Sequence, residues 1–161
     1  QSYSPKMFVT GRQINESIIS SAANRIFKRT KNKINPNICV LGMAFKGAPV
    51  TGDVRGSTAK QLVIELRKLF KNGSILGHDY LATNEDILSC GVDSVVADLA
   101  DIINNVDIII VHNNHPTYAT QIPGVLNAFN NEVVLYDFWN QLGAINNNIV
   151  DHCIFGEGKE L

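Results

Sequence analysis

The hydrophobic and polar positions of the chain form two alternating patterns. Short apolar runs at 37–42, 107–112 and 132–137 lack the period-two alternation of a half-exposed strand and predict strands covered on both faces. Longer segments near 58–71 and 118–129 carry apolar residues at helical spacing and predict helices. Buried strands separated by helices indicate a parallel sheet between two helical layers.

Weaker signals complete this pattern. They predict a strand at 74–78, a helix at 83–89, a weaker strand at 93–96, a short helix at 98–104 and a last apolar piece, NIVDHCIF. We therefore expect an α/β fold, a three-layer α/β/α Rossmann-like domain with a mostly parallel sheet. Ligands bind such sheets at the carboxyl ends of the strands, so the loops that follow the strands are the candidate site.

The amino-terminal segment has a pattern of its own. Residues 6–29 predict a helix with one buried face, and the apolar stripe on that face consists of Ile14, Ile18, Ile19, Ala22 and Ile26. Such a helix needs a partner to cover the stripe. The polar, proline-bearing stretch TKNKINPN follows it and predicts a boundary near 30–36, after which the main domain begins.

Composition narrows the class of protein. With 161 residues, 45% of them hydrophobic, the chain is long enough to bury the core of one globular domain. The net charge of -1 gives no general attraction to nucleic acid or to an anionic membrane, and we expect neither as a partner. No apolar run reaches the roughly 18 residues of a membrane span, and no secretory signal opens the chain. Cys39, Cys90 and Cys153 are predicted core thiols of a reducing compartment, so we expect a cytoplasmic protein.

The loop after the first predicted strand, GMAFKGAPVTGDVRGS, carries the clearest chemistry. Its glycines permit a close approach to a ligand, Lys46 adds a cation, and Ser57 is placed to cap a helix whose amino terminus favours an anion. The spacing matches neither GxGxxG nor GxxxxGK[ST]. A phosphate site and an ordinary strand-to-helix connection both remain open. Asp53 and Arg55 stand two residues apart and are expected to brace the loop itself.

Three further sets of residues are expected to have structural roles. His112 and His115 have no additional metal ligands nearby in the sequence, so we expect no metal site. Asp79 and Asp137 each end a predicted strand, where a carboxylate usually caps a loop. Tyr118 could line the cleft, but ordinary packing in the core is the favoured interpretation.

The same loop resembles the signature that opens the C-terminal, UDP-binding domain of the UDP-glucose/GDP-mannose dehydrogenase family. In that family a strand ends in G-x-A-F-K and the loop continues to D-x-R-x-S before a helix. Other segments resemble the family in order and position: GRQINES its R-x-x-N helix element, GHDYLAT its V-x-x-Y-D-P turn, ADLADIINNVDIIIVHNNHPTY its helix, strand and H-x-x-F/Y, and VLYDFWNQL its I-x-D-x-R-N. The resemblance covers nearly the whole chain.

The resemblance implies an activity for a longer enzyme. Family members oxidise the primary alcohol of a nucleotide sugar to a carboxylate in two NAD-dependent steps, through a thioester on a cysteine in a G-x-C-x-P-K-like motif. This chain contains neither that motif nor GxGxxG. It therefore resembles the nucleotide-sugar-binding domain of a UDP-sugar 6-dehydrogenase of polysaccharide biosynthesis. The implied catalytic residues and NAD site lie in a missing N-terminal domain, and the isolated fragment is expected to be inactive. The UDP-N-acetylmannosamine dehydrogenase type is one candidate.

The resemblance also implies site residues, with one departure. The Phe-Lys pair that contacts the nucleotide sugar in the family corresponds to Phe45 and Lys46. The family arginine of D-x-R-N is replaced here by Trp139, which has no guanidinium for a phosphate but whose ring could stack on a base or sugar. The first loop is also two residues longer than the commonest family form. Both differences bear on the identity of the sugar.

The implied organisation has two parts. Residues 1–33 correspond to the end of the family's central dimerisation helix, and 36–161 to the nucleotide-sugar-binding domain. The implied partners are a UDP-sugar, the N-terminal NAD-binding domain and a second copy in a homodimer. Two alternatives remain, a receiver-like regulatory α/β domain and a pure oligomerisation module that works through the helix at 6–29.

Overall fold

A computed structural model describes residues 6–30 and 33–156 of the chain. Four α-helices, α1 to α4, span Lys6–Arg29, Ala59–Leu69, Asn84–Ser89 and Pro116–Asn127. Six strands, β1 to β6, span Asn37–Leu41, Ser74–His78, Ser94–Val95, Ile108–Val111, Val133–Asp137 and Val150–Ile154. One 3-10 helix, Leu99–Ile102, precedes β4. The ends of the two predicted domains, at 1–5, 31–32 and 157–161, lie outside the described residues.

The six strands form one sheet in the order β3-β2-β1-β4-β5-β6, and all neighbours are parallel. The chain builds the sheet outward from β1 in one direction and then from β4 in the other. The strand order therefore reverses between β1 and β4, and sheets of this order bind ligands in the crevice at that point. Leu41 is in register with His78 and Val111, so the carboxyl ends of the central strands are level.

Two hydrophobic clusters cover the two faces of the sheet. One cluster joins the strands to α1, α2 and α3 through residues such as Ile38, Val40 and Leu66. The other joins them to the 3-10 helix and α4 through residues such as Leu41 and Ile122. The strands carry apolar side chains on both faces for this reason, and the predicted three-layer Rossmann-like α/β fold is confirmed.

The stripe on α1 is only partly as predicted. Ile19, Ala22 and Ile26 are buried, but Ile18 is half-buried and Ile14 is 55% exposed. The helix has 24 residues and packs on α2, which has 11. At about 1.5 Å per residue, α1 is about twice as long as its partner, and the side chains of its first half that the structure describes, such as Val9 and Ile14, are exposed. The side chains of the R-x-x-N element in this half lie outside the described residues.

Three elements in the carboxyl-terminal half differ in their bounds or type from the prediction. Helix α4 begins at Pro116 because the Nδ1 atom of His115 accepts a hydrogen bond from the amide of Thr117 (3.3 Å) and proline is well suited to a first turn. The predicted short helix at 98–104 is a single 3-10 turn, and the last apolar piece forms the edge strand β6.

The three cysteines all lie in the described part of the chain. Cys39, Cys90 and Cys153 are buried and none forms a disulfide, which confirms the prediction of core thiols. Burial raises the pKa of Cys39 to about 12. No helix among the described residues has the length and hydropathy of a membrane span.

Candidate functional site

The loop at 42–57 lies directly against the end of β4. Gly42 has a φ of +86°, and a Cβ atom there would lie 2.3 Å from Oδ1 of Asn113. A Cβ atom on Gly47 would lie 1.9 Å from the amide nitrogen of His115. Only glycine fits at these two positions. The loops that follow β1 and β4 therefore form one continuous surface at the switch point of the sheet.

Several amides of this loop already have partners within the protein. The amide of Ala44 donates to Oδ2 of Asp79 (2.9 Å), and that of Phe45 donates to the carbonyl of Asp53 (3.0 Å). The amide of Gly47 donates to Oδ1 of Asn114 (3.0 Å). A phosphate-binding loop needs its amides directed at the ligand. These three amides do not form such a cradle, so an anion at this loop depends on side chains.

Asp53, Arg55 and Ser57 bond to residues close to them along the chain. The guanidinium of Arg55 binds both carboxylate oxygens of Asp53, with Nε at 2.9 Å from Oδ1 and a terminal nitrogen at 2.7 Å from Oδ2. This ion pair holds the pKa of Asp53 down to about 2. Ser57 Oγ accepts a hydrogen bond from the amide of Ala59 (3.1 Å) in the first turn of α2.

Phe45 and Lys46 lie side by side at the start of the loop. Phe45 is 47% exposed although it has a large apolar side chain. The ammonium nitrogen of Lys46 lies 5.0 Å from the centre of that ring, within the range of a cation–π contact. An aromatic face and a positive charge are therefore side by side at the carboxyl end of β1.

Trp139 lies on the loop after β5 with one side of its indole fixed. Its Nε1–H donates to the backbone carbonyl of His112 (2.9 Å), while its amide donates to Oδ1 of Asp137 (2.9 Å). The residue is nevertheless 56% exposed. The indole N–H is thus already bonded within the protein, and the ring offers a ligand its aromatic face.

His112 connects these loops, a role that the sequence pattern does not predict. Its Nδ1 lies 2.9 Å from the carbonyl oxygen of Gly42, and its Nε2 lies 2.9 Å from the hydroxyl of Thr58 at the start of α2. The residue is buried, and burial lowers the pKa of His112. These contacts join positions 70 and 54 residues apart in the chain, which no local pattern records.

The remaining candidates have structural partners. Asp79 accepts hydrogen bonds from the amides of Ala44, Leu81 and Ala82, and Asp137 caps the loop of Trp139, so the predicted caps are confirmed. Tyr118 is fully buried, as predicted. It belongs to an aromatic cluster that consists of His78, Tyr80, His115 and Tyr118. Within the described residues, no three metal-ligating side chains converge.

The parallel sheet with this strand order defines a Rossmann-like α/β domain, a fold that in other proteins binds ligands at its switch point. The family model for the UDP-glucose/GDP-mannose dehydrogenase family, UDP binding domain, matches residues 39–144. The chain belongs to this family. A search of curated proteins gave no match.

Two solved structures show the same fold. UDP-D-ManNAc dehydrogenase from Pyrococcus horikoshii aligns over 92% of this chain and 33% of its own, with 22% identity and a TM-score of 0.70. GDP-mannose dehydrogenase from Pseudomonas aeruginosa aligns over 92% of this chain and 34% of its own, with 15% identity and a TM-score of 0.65. The chain thus spans about a third of the length of these structures.

Proposed function

We propose that this chain is the nucleotide-sugar-binding domain of a longer NAD-dependent UDP-sugar 6-dehydrogenase. The full enzyme would oxidise the primary alcohol of the sugar to give a UDP-uronate for polysaccharide biosynthesis. The observation that carries the proposal is that Phe45 and Trp139 are exposed, with Lys46 half-buried beside the Phe45 ring, on the loops that follow β1 and β5. Membership of the UDP binding domain family supports UDP as the recognised part of the ligand.

Each of the three residues has a role that follows from its chemistry. The amides of Ala44, Phe45 and Gly47 are bonded within the protein and are not directed at a ligand. Lys46 is therefore the group that would bind the diphosphate. Phe45 and Trp139 offer aromatic faces to the base or the sugar. Asp53 and Arg55 keep the loop in shape through their mutual ion pair rather than through the ligand.

We place the oxidation chemistry outside this chain. A dinucleotide needs a glycine-rich turn with free amides at the first strand, and the amides of Ala44 and Gly47 are already bonded. The loop therefore lacks the free-amide turn by which a dinucleotide-binding domain holds NAD. A thioester step needs a thiolate, whereas burial raises the pKa of both Cys39 and Cys90. The NAD site and the catalytic cysteine then belong to an N-terminal domain.

The organisation of the enzyme follows from α1. We propose that 1–33 is the end of a dimerisation helix, that 36–161 is the binding domain, and that the enzyme is a homodimer in the cytoplasm. The exposed Val9 and Ile14 on the first half of α1 support a helix that continues into a further contact. The buried thiols agree with a reducing compartment.

The same exposed helix favours the second candidate, a pure oligomerisation module. A receiver-like domain has less support, because the carboxyl end of β1 carries Phe45 and Lys46 where that class needs acidic residues. The two leading candidates differ in one measurable property, which is binding of UDP.

The test is calorimetric titration of UDP and UDP-N-acetylmannosamine into the chain, with NADH production assayed beside it. We expect saturable binding of both ligands and no NADH above background. Turnover would place the oxidation chemistry in this chain and refute the fragment interpretation. Absence of UDP binding by a folded chain that dimerises in sedimentation would favour the oligomerisation module.

A further inference from the structure

We propose that His112 is a positioning residue for this site, which holds the Phe45–Lys46 loop and Trp139 in one fixed arrangement. The inference rests on the proposed function, because it assigns a role within the same binding site. His112 itself is buried, with 6% of its surface exposed, so it acts through the loops and not by contact with ligand.

The hydrogen bonds of the ring determine its tautomer. The carbonyl oxygen of Gly42 is only an acceptor, so the Nδ1 atom that lies 2.9 Å away carries the proton. Nε2 is then an acceptor, and the hydroxyl of Thr58 donates to it across 2.9 Å. The ring thus joins the first residue of the loop to the start of α2. Both ends of the segment that carries Phe45 and Lys46 are fixed by one imidazole.

The backbone of His112 adds hydrogen bonds to the end of β1 and to the loop that follows β5. Its amide donates to the carbonyl of Leu41 at the end of β1 (2.8 Å), and its carbonyl accepts the indole N–H of Trp139 (2.9 Å). The imidazole also meets the ring of Phe138, next to Trp139, edge-on at a centroid distance of 5.5 Å. Every polar atom of this residue therefore bonds to a segment that borders the binding surface.

His78 provides a matched control. It ends the neighbouring strand β2 and is buried to a similar degree, at 4% exposed. Its Nδ1 lies 2.9 Å from the hydroxyl of Tyr118 on α4, so its side chain bonds to the core and not to the two loops. A purely structural role for His112 predicts that the two histidines behave alike. A positioning role predicts that they differ in ligand binding.

The experiment compares UDP affinity, thermal stability and tryptophan emission in five forms of the chain: wild type, His112→Asn, His78→Asn, Thr58→Val and Thr58→Ser. The amide of an asparagine at 112 can donate to Gly42 but does not reach Thr58. Thr58→Val replaces the hydroxyl by a methyl group, and Thr58 makes no side-chain cap bond that the change would break. The chain has one tryptophan, so its emission reports on Trp139 alone.

We expect UDP affinity to fall about tenfold in His112→Asn and about threefold to tenfold in Thr58→Val, the scale of one lost hydrogen bond. Thr58→Ser, which keeps the hydroxyl, should bind UDP with the affinity of wild type. Tryptophan emission shifts in His112→Asn and stays unchanged in His78→Asn, which lowers the melting temperature but leaves UDP affinity intact. Equal affinity losses in the two histidine variants, or unchanged affinity in Thr58→Val, would overturn the proposal. If His112→Asn fails to fold, the two Thr58 variants still decide it.

The ligand-free chain separates this proposal from the proposed function. Imidazole nitrogen chemical shifts measure the tautomer directly, and we expect the proton on Nδ1 of His112 at neutral pH. A proton on Nε2 would mean that Nδ1 does not donate to the Gly42 carbonyl, and this would overturn the positioning role. If wild type shows no UDP binding while the tautomer is as expected, the proposed function fails, and with it the role of His112 in ligand binding.

Discussion

At the scale of single residues, Lys46 carries the charge of the proposed site. It is half-buried beside the Phe45 ring and lies at the carboxyl end of β1. The amide of Gly47, next to it, is bonded to Asn114 within the protein. The residue that replaces the family arginine, Trp139, supplies no positive charge. In the proposed function, the diphosphate of the ligand would therefore depend on this lysine more than it would in a site with two cations.

We predict that Lys46→Ala weakens UDP binding by about 1.5–3 kcal/mol, the scale of a hydrogen bond to a charged group. The melting temperature should not change, because a loop lysine adds little to the core. Calorimetric titration and thermal melts measure the two quantities. Lys60→Ala, which removes an exposed lysine from α2, is the control and should bind UDP like wild type. Unchanged affinity in Lys46→Ala would mean that UDP binds elsewhere.

Trp139 leads to a second prediction at this scale. Its exposed ring is available for stacking, which is worth about 1–3 kcal/mol for a base on an aromatic side chain. We expect Trp139→Ala to lose UDP affinity within that range and Trp139→Phe, which keeps an aromatic face, to lose less. Competition with a fluorescent UDP analogue measures both. Equal losses in the two variants would mean that the indole N–H, and not the ring face, is what matters.

Residue roles were predictable from sequence only where the partners are close along the chain. The ion pair of Asp53 and Arg55 spans two residues, and the cap by Asp137 reaches Trp139 two residues on. His112 has partners 70 and 54 residues away, and its role depends on which strands are neighbours. Helical and strand periodicities carry no information on strand order, so this residue was recognisable only in the folded molecule.

At the scale of elements, α1 shows where periodicity stops being sufficient. The apolar spacing predicts which side of the helix is buried, and Ile19, Ala22 and Ile26 are buried as predicted. Burial of Ile14 also requires an element to cover it, and α2 is too short to reach that far. The sequence of a helix thus predicts its apolar face, but the length of its neighbour determines how much of that face is covered.

The two halves of α1 should respond differently to truncation. Ile26→Ala removes a side chain that is 1% exposed and should lower the free energy of unfolding by about 2–5 kcal/mol. Ile14 is 55% exposed, so Ile14→Ala should change the free energy of unfolding by less than about 0.5 kcal/mol at low protein concentration. Urea unfolding measures both values. A large loss for Ile14→Ala that grows with protein concentration would show that a second copy covers this half.

At the scale of the whole molecule, the parallel sheet was predictable because its strands are apolar on both faces. The strand order was not, since it arises from how the crossover helices distribute over the two sides. That order determines the position of the proposed site, because it brings the ends of β1 and β4 together. The family resemblance supplied the residues, whereas the order of the strands places their loops next to each other.

Two buried histidines couple the stability of the whole molecule to pH. Burial lowers the pKa of His112 and of His78 below the ordinary value of 6.5, and the nearby carboxylate of Asp79 only partly opposes this. Below pH 6.5 the unfolded chain takes up protons at these two residues that the folded chain does not. The stability they contribute is therefore complete above pH 6.5 and is lost as the pH falls toward their folded values.

We predict that the free energy of unfolding decreases between pH 6.5 and 5, by at most about 1.4 kcal/mol per pH unit for each histidine. The ion pair of Asp53 adds nothing in this window, because its pKa is lowered to about 2 from 3.8 and its stabilisation is lost only at lower pH. Urea unfolding at half-unit pH steps measures the slope for wild type, His112→Asn and His78→Asn. Each variant should flatten the curve, because each removes one group that protonates only on unfolding. A slope that is unchanged in both variants would mean that other groups take up the protons, and that neither histidine is held neutral by the fold.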